Sequence, residues 1–183
     1  MTHEDLVLYA KRYLLKKKRI HVVITEQFII TTEKPDAMGY TTGQTYLIEC
    51  KATRSDFLAD AKKKFRQEPE LGMGSYRFYL CPAGLIQKHE LPDGWGLLWV
   101  EDNGRIKTLK ANGNMSAPFQ NRKNTSAEHQ LLLAYTKRLV KAYGVHEAGE
   151  LTPIEKLHEE ISRLKHHIKL LEHGSMHQPQ GVR

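Results

Sequence analysis

The stretch KPDAMGYTTGQTYLIECKA, residues 34–52, constrains the fold more than any other part of this 183-residue chain. Two runs of strand-forming residues flank Thr42-Gly43, and a two-residue loop with glycine at the strained position closes such runs into a β-hairpin. Opposed residues then pair as Thr41 with Gln44, Met38 with Leu47 and Asp36 with Glu49. Side chains directly opposite each other stand about 4.5–5.5 Å apart at Cβ, and like charges there destabilise the pair. Lys51 lies two residues beyond Glu49 and projects from the same face, while Cys50 projects from the other, as a core filler. A loop of another length would shift this register and scatter the group. With the register as read, two carboxylates and an ammonium converge on one point. That set suits Mg²⁺, a hard cation usually held by one or two carboxylates, waters and a substrate phosphate. The plain alternative is an ordinary hairpin with a surface acid–lysine pair.

The flanking segments read as alternating helices and strands. Residues 2–18 form a helix capped by Thr2 with Asp5 three residues on, and Leu6, Tyr9, Ala10, Tyr13 and Leu14 line one face. The run Lys16, Lys17, Lys18 and Arg19 at its end suits the helix dipole and equally suits a DNA backbone. IHVVITEQFII follows as a strand whose even positions are apolar except Glu26. A lone carboxylate on such a face is either paired in a site or let out to water by a bulge. RSDFLADAKKKFRQ reads as one helix, with Ser55 as N-cap and Phe57, Leu58, Ala61 and Phe65 inward. Its C-terminal half carries a second basic cluster, Lys62, Lys63, Lys64 and Arg66.

Further on, LGMGSYRFYLCP reads as a glycine turn and a strand, and WGLLWVEDNGRIKTLKA as a hairpin turning at Asn103-Gly104. Residues 111–124 are a polar loop. Thr125 and Glu128 have capping-box spacing and open a helix that runs to about Tyr143. Met73 and Met115 fall in loops without pattern. The histidines are scattered, and His158-Glu159-Glu160-Ile161-Ser162 lacks the second histidine of a zinc-protease motif.

Lys and Arg number 28 against 21 Asp and Glu, a net charge of +7, and this excess fits a nucleic-acid partner. No apolar run approaches the roughly 18 residues of a membrane span, and the charged N-terminus lacks a signal-peptide core. Two cysteines, Cys50 and Cys81, give no disulfide framework. A cytoplasmic chain without a membrane partner is the expectation.

Pro35-Asp36, a spacer, and Glu49-Cys50-Lys51 resemble the signature of the PD-(D/E)XK nuclease superfamily. The order of helix, three strands, helix and strand matches as well. IECKATRSDFLADAKKKF, YRFYLCPAGLI and GWGLLWVEDNG resemble in particular the small bacterial DNA-repair nuclease-like proteins of the MmcB family. The resemblance spans about residues 5–110. It implies an α/β, restriction-endonuclease-like core with an αβββαβ order and a mixed central sheet flanked by helices. It also implies that Asp36, Glu49 and the backbone carbonyl of Cys50 bind Mg²⁺, or Mn²⁺, and that Lys51 is catalytic. An upstream acid is common in the superfamily, and Glu26 matches it best here, with Glu4 on the first helix the other candidate. Pro92-Asp93 and Asp60-Ala61-Lys62 match fragments of the motif by accident, since neither has the hairpin context.

Residues 153–173 carry a second clear pattern. Ile154, Leu157, Ile161, Leu164, Ile168 and Leu171 step by three and four, with isoleucine at every a position and leucine at every d position. That choice favours a parallel two-stranded coiled coil, and Glu160 would meet Lys165, and His167 Glu172, across a dimer. The alternative is a stripe that docks on its own domain.

The chain is thus expected to hold a nuclease-like domain at 1–144, a linker at 145–152, a coiled-coil helix at 153–173 and a tail at 174–183. The expected activity is metal-dependent hydrolysis of DNA phosphodiester bonds in repair or recombination, by a homodimer. Basic clusters at 16–19, 62–66 and 122–123 would hold the DNA backbone. The alternatives are a catalytically inactive DNA-binding or scaffold protein on the same fold and an RNA-directed nuclease.

Overall fold

A computed structural model describes residues 1–17, 19–25, 33–111, 117–143 and 153–174. The chain divides into two units, Met1–Tyr135 and Thr136–Arg183. Unit one is an α/β structure built on a six-stranded mixed sheet flanked by helices. Helix α1 (His3–Leu15) opens on Thr2, which accepts from Asp5 N–H while the Asp5 carboxylate accepts from Thr2 N–H. Strands β1 (Val22–Thr25), β2 (Ala37–Tyr40) and β3 (Thr45–Cys50) form an antiparallel meander. The expected strand at 20–30 is described only to Thr25. Glu26 lies outside the described residues, as do Lys18 and Met115.

Helix α2 (Arg54–Asp60) and the short α3 (Lys64–Gln67) follow, where the sequence reads one continuous helix. The cap is Thr53, not Ser55, because Thr53 and Asp56 form a reciprocal capping box. Phe57 is buried as expected, but Leu58 and Ala61 are exposed. The buried positions are Phe57 and Asp60 on α2 and Arg66 on α3. On an unbroken helix Asp60 and Arg66 would point roughly 120° apart. The break lets both turn inward.

Strand β4 (Tyr76–Pro82) returns parallel to β3, and β5 (Trp95–Val100) lies parallel to β4. Strand β6 (Ile106–Lys110) closes the sheet antiparallel to β5 through a tight turn at Gly104 (φ 76°). Helix α4 (Thr125–Tyr143) begins at Asn124, whose Oδ1 accepts from Ala127 N–H at 2.9 Å. Thr125 is therefore not the cap. Glu128 is buried instead, where it accepts from Thr45 Oγ1 and Gly74 N–H, each at 2.8 Å.

The pleat sorts the two cores. Ile48, Cys50, Phe78, Leu80 and Leu98 pack against Leu6, Ala10 and Leu14 of α1. Ala37 shares that face, and Gly39 lets α1 come close: a Cβ there would stand 3.2 Å from Leu14 Cδ2. Met38, Leu47, Tyr79, Trp95 and Leu97 face the other way, with Phe57, Met73 and Leu131. Met73, read as a loop residue without pattern, is thus fully buried. The turn before β4 requires glycine at 74, where φ is 90° and a Cβ would lie 2.6 Å from Leu47 Cβ. Glu49 and Lys51 belong to this second face.

In unit two, α5 (Pro153–Gly174) is a helix of 22 residues. Leu157, Leu164 and Ile168 are each more than half exposed, and Ile161 is 38% exposed. The side chains of Ile154 and Leu171, and residues 144–152, lie outside the description, so the expected linker does too. Among the described residues no helix is long and apolar enough to cross a membrane.

Candidate functional site

The hairpin has the register read from the sequence. Thr41 N–H donates to Gln44 O (2.9 Å), Gln44 N–H donates to Thr41 Oγ1 (2.9 Å), and the strands run Met38 opposite Leu47 and Ala37 opposite Ile48. Continued one step beyond the strand, that register sets Asp36 opposite Glu49. Cys50 N–H donates to Asp36 Oδ2 at 2.7 Å, which fixes that carboxylate across the hairpin. The Cys50 thiol is buried on the α1 face, away from the cluster.

Lys51 Nζ stands 3.1 Å from Glu49 Oε2 and 3.1 Å from Asp60 Oδ1. Arg66 lies behind them, with Nη2 3.1 Å from Glu49 Oε2 and Nε donating to Asp60 Oδ2 at 2.6 Å. Arg66 also pairs with Glu33, whose other oxygen accepts from Met73 N–H at 2.6 Å. Tyr79 O–H donates to Asp60 Oδ2 at 2.9 Å and completes the ring. Three carboxylates (Glu33, Glu49, Asp60) therefore share two buried cations, Lys51 and Arg66, with Lys63 Nζ reaching Asp60 at 2.8 Å from a half-exposed position. Asp36, Glu49, Lys51 and Asp60 line a cavity of about 290 Å³, joined by His3 and Lys34.

Burial sets the protonation states. It pushes the Asp36 carboxyl up to about 6, and the negative charge of Glu49 adds to the effect. Burial also raises Glu33, against the pull of Arg66. For Lys51, burial favours the neutral amine, but Glu49, Asp60 and Asp36 outweigh it and hold the ammonium above the ordinary lysine range. For Asp60, burial is outweighed by Arg66 and Lys51, which keep its carboxyl below the ordinary range.

The carboxylates fit the cation that the hairpin motif implies. Glu49 is 2% exposed, yet its Oε1 is buried with no hydrogen-bond partner among the described residues. An orphaned anionic oxygen is costly, and a cation shared with Asp36 would satisfy it. Among the described residues no three His, Cys, Asp or Glu side chains form a metal cage by themselves. A site of two carboxylates is the composition Mg²⁺ accepts when waters and a phosphate complete its shell.

The other expected residues divide. Glu4 is exposed in the first turn of α1, and it is its neighbour His3, with Nε2 3.5 Å from Asp36 Oδ1, that reaches the site. Arg66 does not belong to a DNA-contact surface, because its guanidinium is 1% exposed and tied to three carboxylates. Lys123 is likewise turned in, donating to Thr45 Oγ1 and Glu128 Oε2. Lys62, Lys63 and Lys64 are exposed, and Lys63 borders the cavity. Lys16 follows His3 by thirteen residues, about 20 Å along the α1 axis, so Lys16 is far from Asp36.

Sequence reasoning missed Glu33 and Asp60. Glu33 sits between the expected strand and hairpin, where no period singles it out. Asp60 had a usable signal: it lies three residues after Phe57 and so shares its inward face, the argument applied to Glu26.

No family model matches the chain, and no curated protein matches it. A solved structure of a protein of unknown function from Silicibacter pomeroyi is similar, with a TM-score of 0.53 and 21% sequence identity. The match covers 82% of this chain and 99% of that one. At this identity the likeness is one of fold.

Proposed function

We propose that this chain is a metal-dependent nuclease on a restriction-endonuclease-like core, hydrolysing phosphodiester bonds in DNA. The observation that carries the reading is the orphaned, buried Oε1 of Glu49 opposite Asp36, with the Lys51 ammonium beside them. Asp36 and Glu49 would hold Mg²⁺ or Mn²⁺. Such a cation supplies a nucleophilic water at neutral pH and offsets charge on the phosphoryl oxygens.

The remaining roles follow from the protein's own groups. Lys51 stays protonated at neutral pH, so it donates rather than abstracts protons. Its ammonium can stabilise charge developing on a phosphate oxygen. Asp60 and Glu49 aim that ammonium by holding it from two sides. Cys50 N–H and His3 orient the Asp36 carboxylate toward the cavity. Lys34 and Lys63, at the cavity wall, are placed to meet the flanking phosphates.

One observation favours a second reading. Lys51 is only 5% exposed and already has two carboxylate partners, as a purely structural ion pair would. On that reading the fold binds DNA as a scaffold without cutting it. Cleavage of labelled duplex, single-strand, flap and four-way-junction DNA with Mg²⁺, Mn²⁺ or EDTA separates the two. The nuclease reading requires metal-dependent cutting that is lost in Lys51→Ala. Binding without cutting in both proteins supports the scaffold.

A further inference from the structure

Away from the cavity, three tyrosines and a set of cations meet on the α1 side of the sheet. Tyr46 and Tyr76, neighbours on β3 and β4, stack with ring centroids 4.7 Å apart and planes at 17°. Lys17 Nζ lies 4.9 Å from the Tyr13 ring centre and 5.7 Å from that of Tyr46. All three rings are half-buried, packed on the core below and open above. Two clefts adjoin them. One, of about 370 Å³, runs between α1 and the β5–β6 turn and is lined by Tyr13 with Arg12, Lys16 and Arg105. The other, of about 620 Å³, lies at the tip of the β2–β3 hairpin and is lined by Tyr46 with Arg19 and His21. Tyr13 belongs to the first cleft and Tyr46 to the second, so Lys17 and the tyrosines join them into one track. Among the described residues no carboxylate lines either cleft.

We infer that this track binds single-stranded DNA. The charges match a phosphate backbone, and an aromatic face within a basic groove is what an unpaired base stacks on. A duplex offers no exposed base faces, so the tyrosines would add nothing to duplex binding. A membrane surface would require a projecting apolar face, whereas here the rings lie flat between cations. The inference rests on the reading of the chain as a DNA protein, and not on its cutting DNA.

The test is fluorescence anisotropy of labelled oligo-dT, oligo-U and a duplex of equal length, with the full chain in EDTA. Two variants are compared with the parent: Arg12→Glu/Lys16→Glu/Arg19→Glu at exposed positions, and Tyr13→Leu/Tyr46→Leu. Thermal melting of each confirms the fold. The expected result is oligo-dT bound more tightly than duplex, a loss of at least about tenfold in the tyrosine variant for oligo-dT alone, and a larger loss in the charge variant. If the tyrosine variant does not fold, the charge variant decides. Oligo-dT binding equal to the parent in the folded variants overturns the inference, as does tighter binding of oligo-U. A parent that binds duplex but not oligo-dT also overturns it, while leaving the proposed nuclease standing. A parent that binds oligo-dT through this track but cuts nothing does the reverse.

Discussion

Arg66 Nε donates to Asp60 Oδ2 at 2.6 Å, although the two residues stand six apart in a segment that reads as a single helix. The contact exists because the helix breaks between Asp60 and Lys64. Through it, a residue of the apparent basic surface becomes the central cation of the buried cluster. Arg66 also lies over the Trp95 ring, 4.8 Å from its centre, so its plane is held by packing as well as by charge.

Arg66→Ala should therefore destabilise the protein rather than weaken DNA binding alone. It would leave Glu33, Glu49 and Asp60 without their shared buried cation, a loss on the order of 3–5 kcal/mol. Lys62→Ala and Lys64→Ala, at exposed positions, should stay within about 0.5 kcal/mol of the parent. Urea denaturation of the three variants checks the contrast.

Asp36 gives a pH dependence of definite sign. Its folded pKa of about 6 exceeds the ordinary 3.8, so the folded state holds the proton more tightly than the unfolded chain. The resulting stabilisation is complete below about 3.8 and is lost as pH rises through about 6. Without added metal, Asp36→Asn should melt at a higher temperature than the parent at pH 8, by up to about 2 kcal/mol of stability. At pH 4 the difference should shrink toward zero. Thermal melts in EDTA at the two pH values measure it.

The stripe on α5 makes a parallel dimer a testable expectation. Leu157, Ile161, Leu164 and Ile168 are exposed on a helix of 22 residues. Such a helix is marginal alone and would bury its apolar stripe against a second copy. Light scattering after gel filtration should give a dimer for the parent and a monomer for Ile161→Asp/Leu164→Asp. A parent that runs as a monomer at all concentrations would leave the stripe without this role.

Much of the site was legible in the sequence, for a geometric reason. A two-residue turn fixes hairpin register, so Thr42-Gly43 alone places Asp36 opposite Glu49 and Lys51 on the Glu49 face. Capping gave the start of α1, because Thr2 and Asp5 stand only three residues apart and need no tertiary partner. The same rule misplaced the start of α4: Glu128 has capping-box spacing, but buried donors from Thr45 and Gly74 claim it. Periodicity placed Phe57 inward but failed for the rest of α2 and α3, where the other buried residues are ionic. A pattern built on apolar side chains cannot see that Asp60 and Arg66 turn inward to each other, since their partners come from distant parts of the chain.

The central claim is that Asp36 and Glu49 together hold a divalent cation. Calorimetric titration of Mn²⁺ into the parent, Glu49→Gln and Asp36→Asn at pH 7, each shown by melting to be folded, tests it most directly. A bound cation is expected in the parent, with affinity reduced at least about tenfold in both variants. Equal affinity in parent and variants, or no binding to the folded parent, would contradict it.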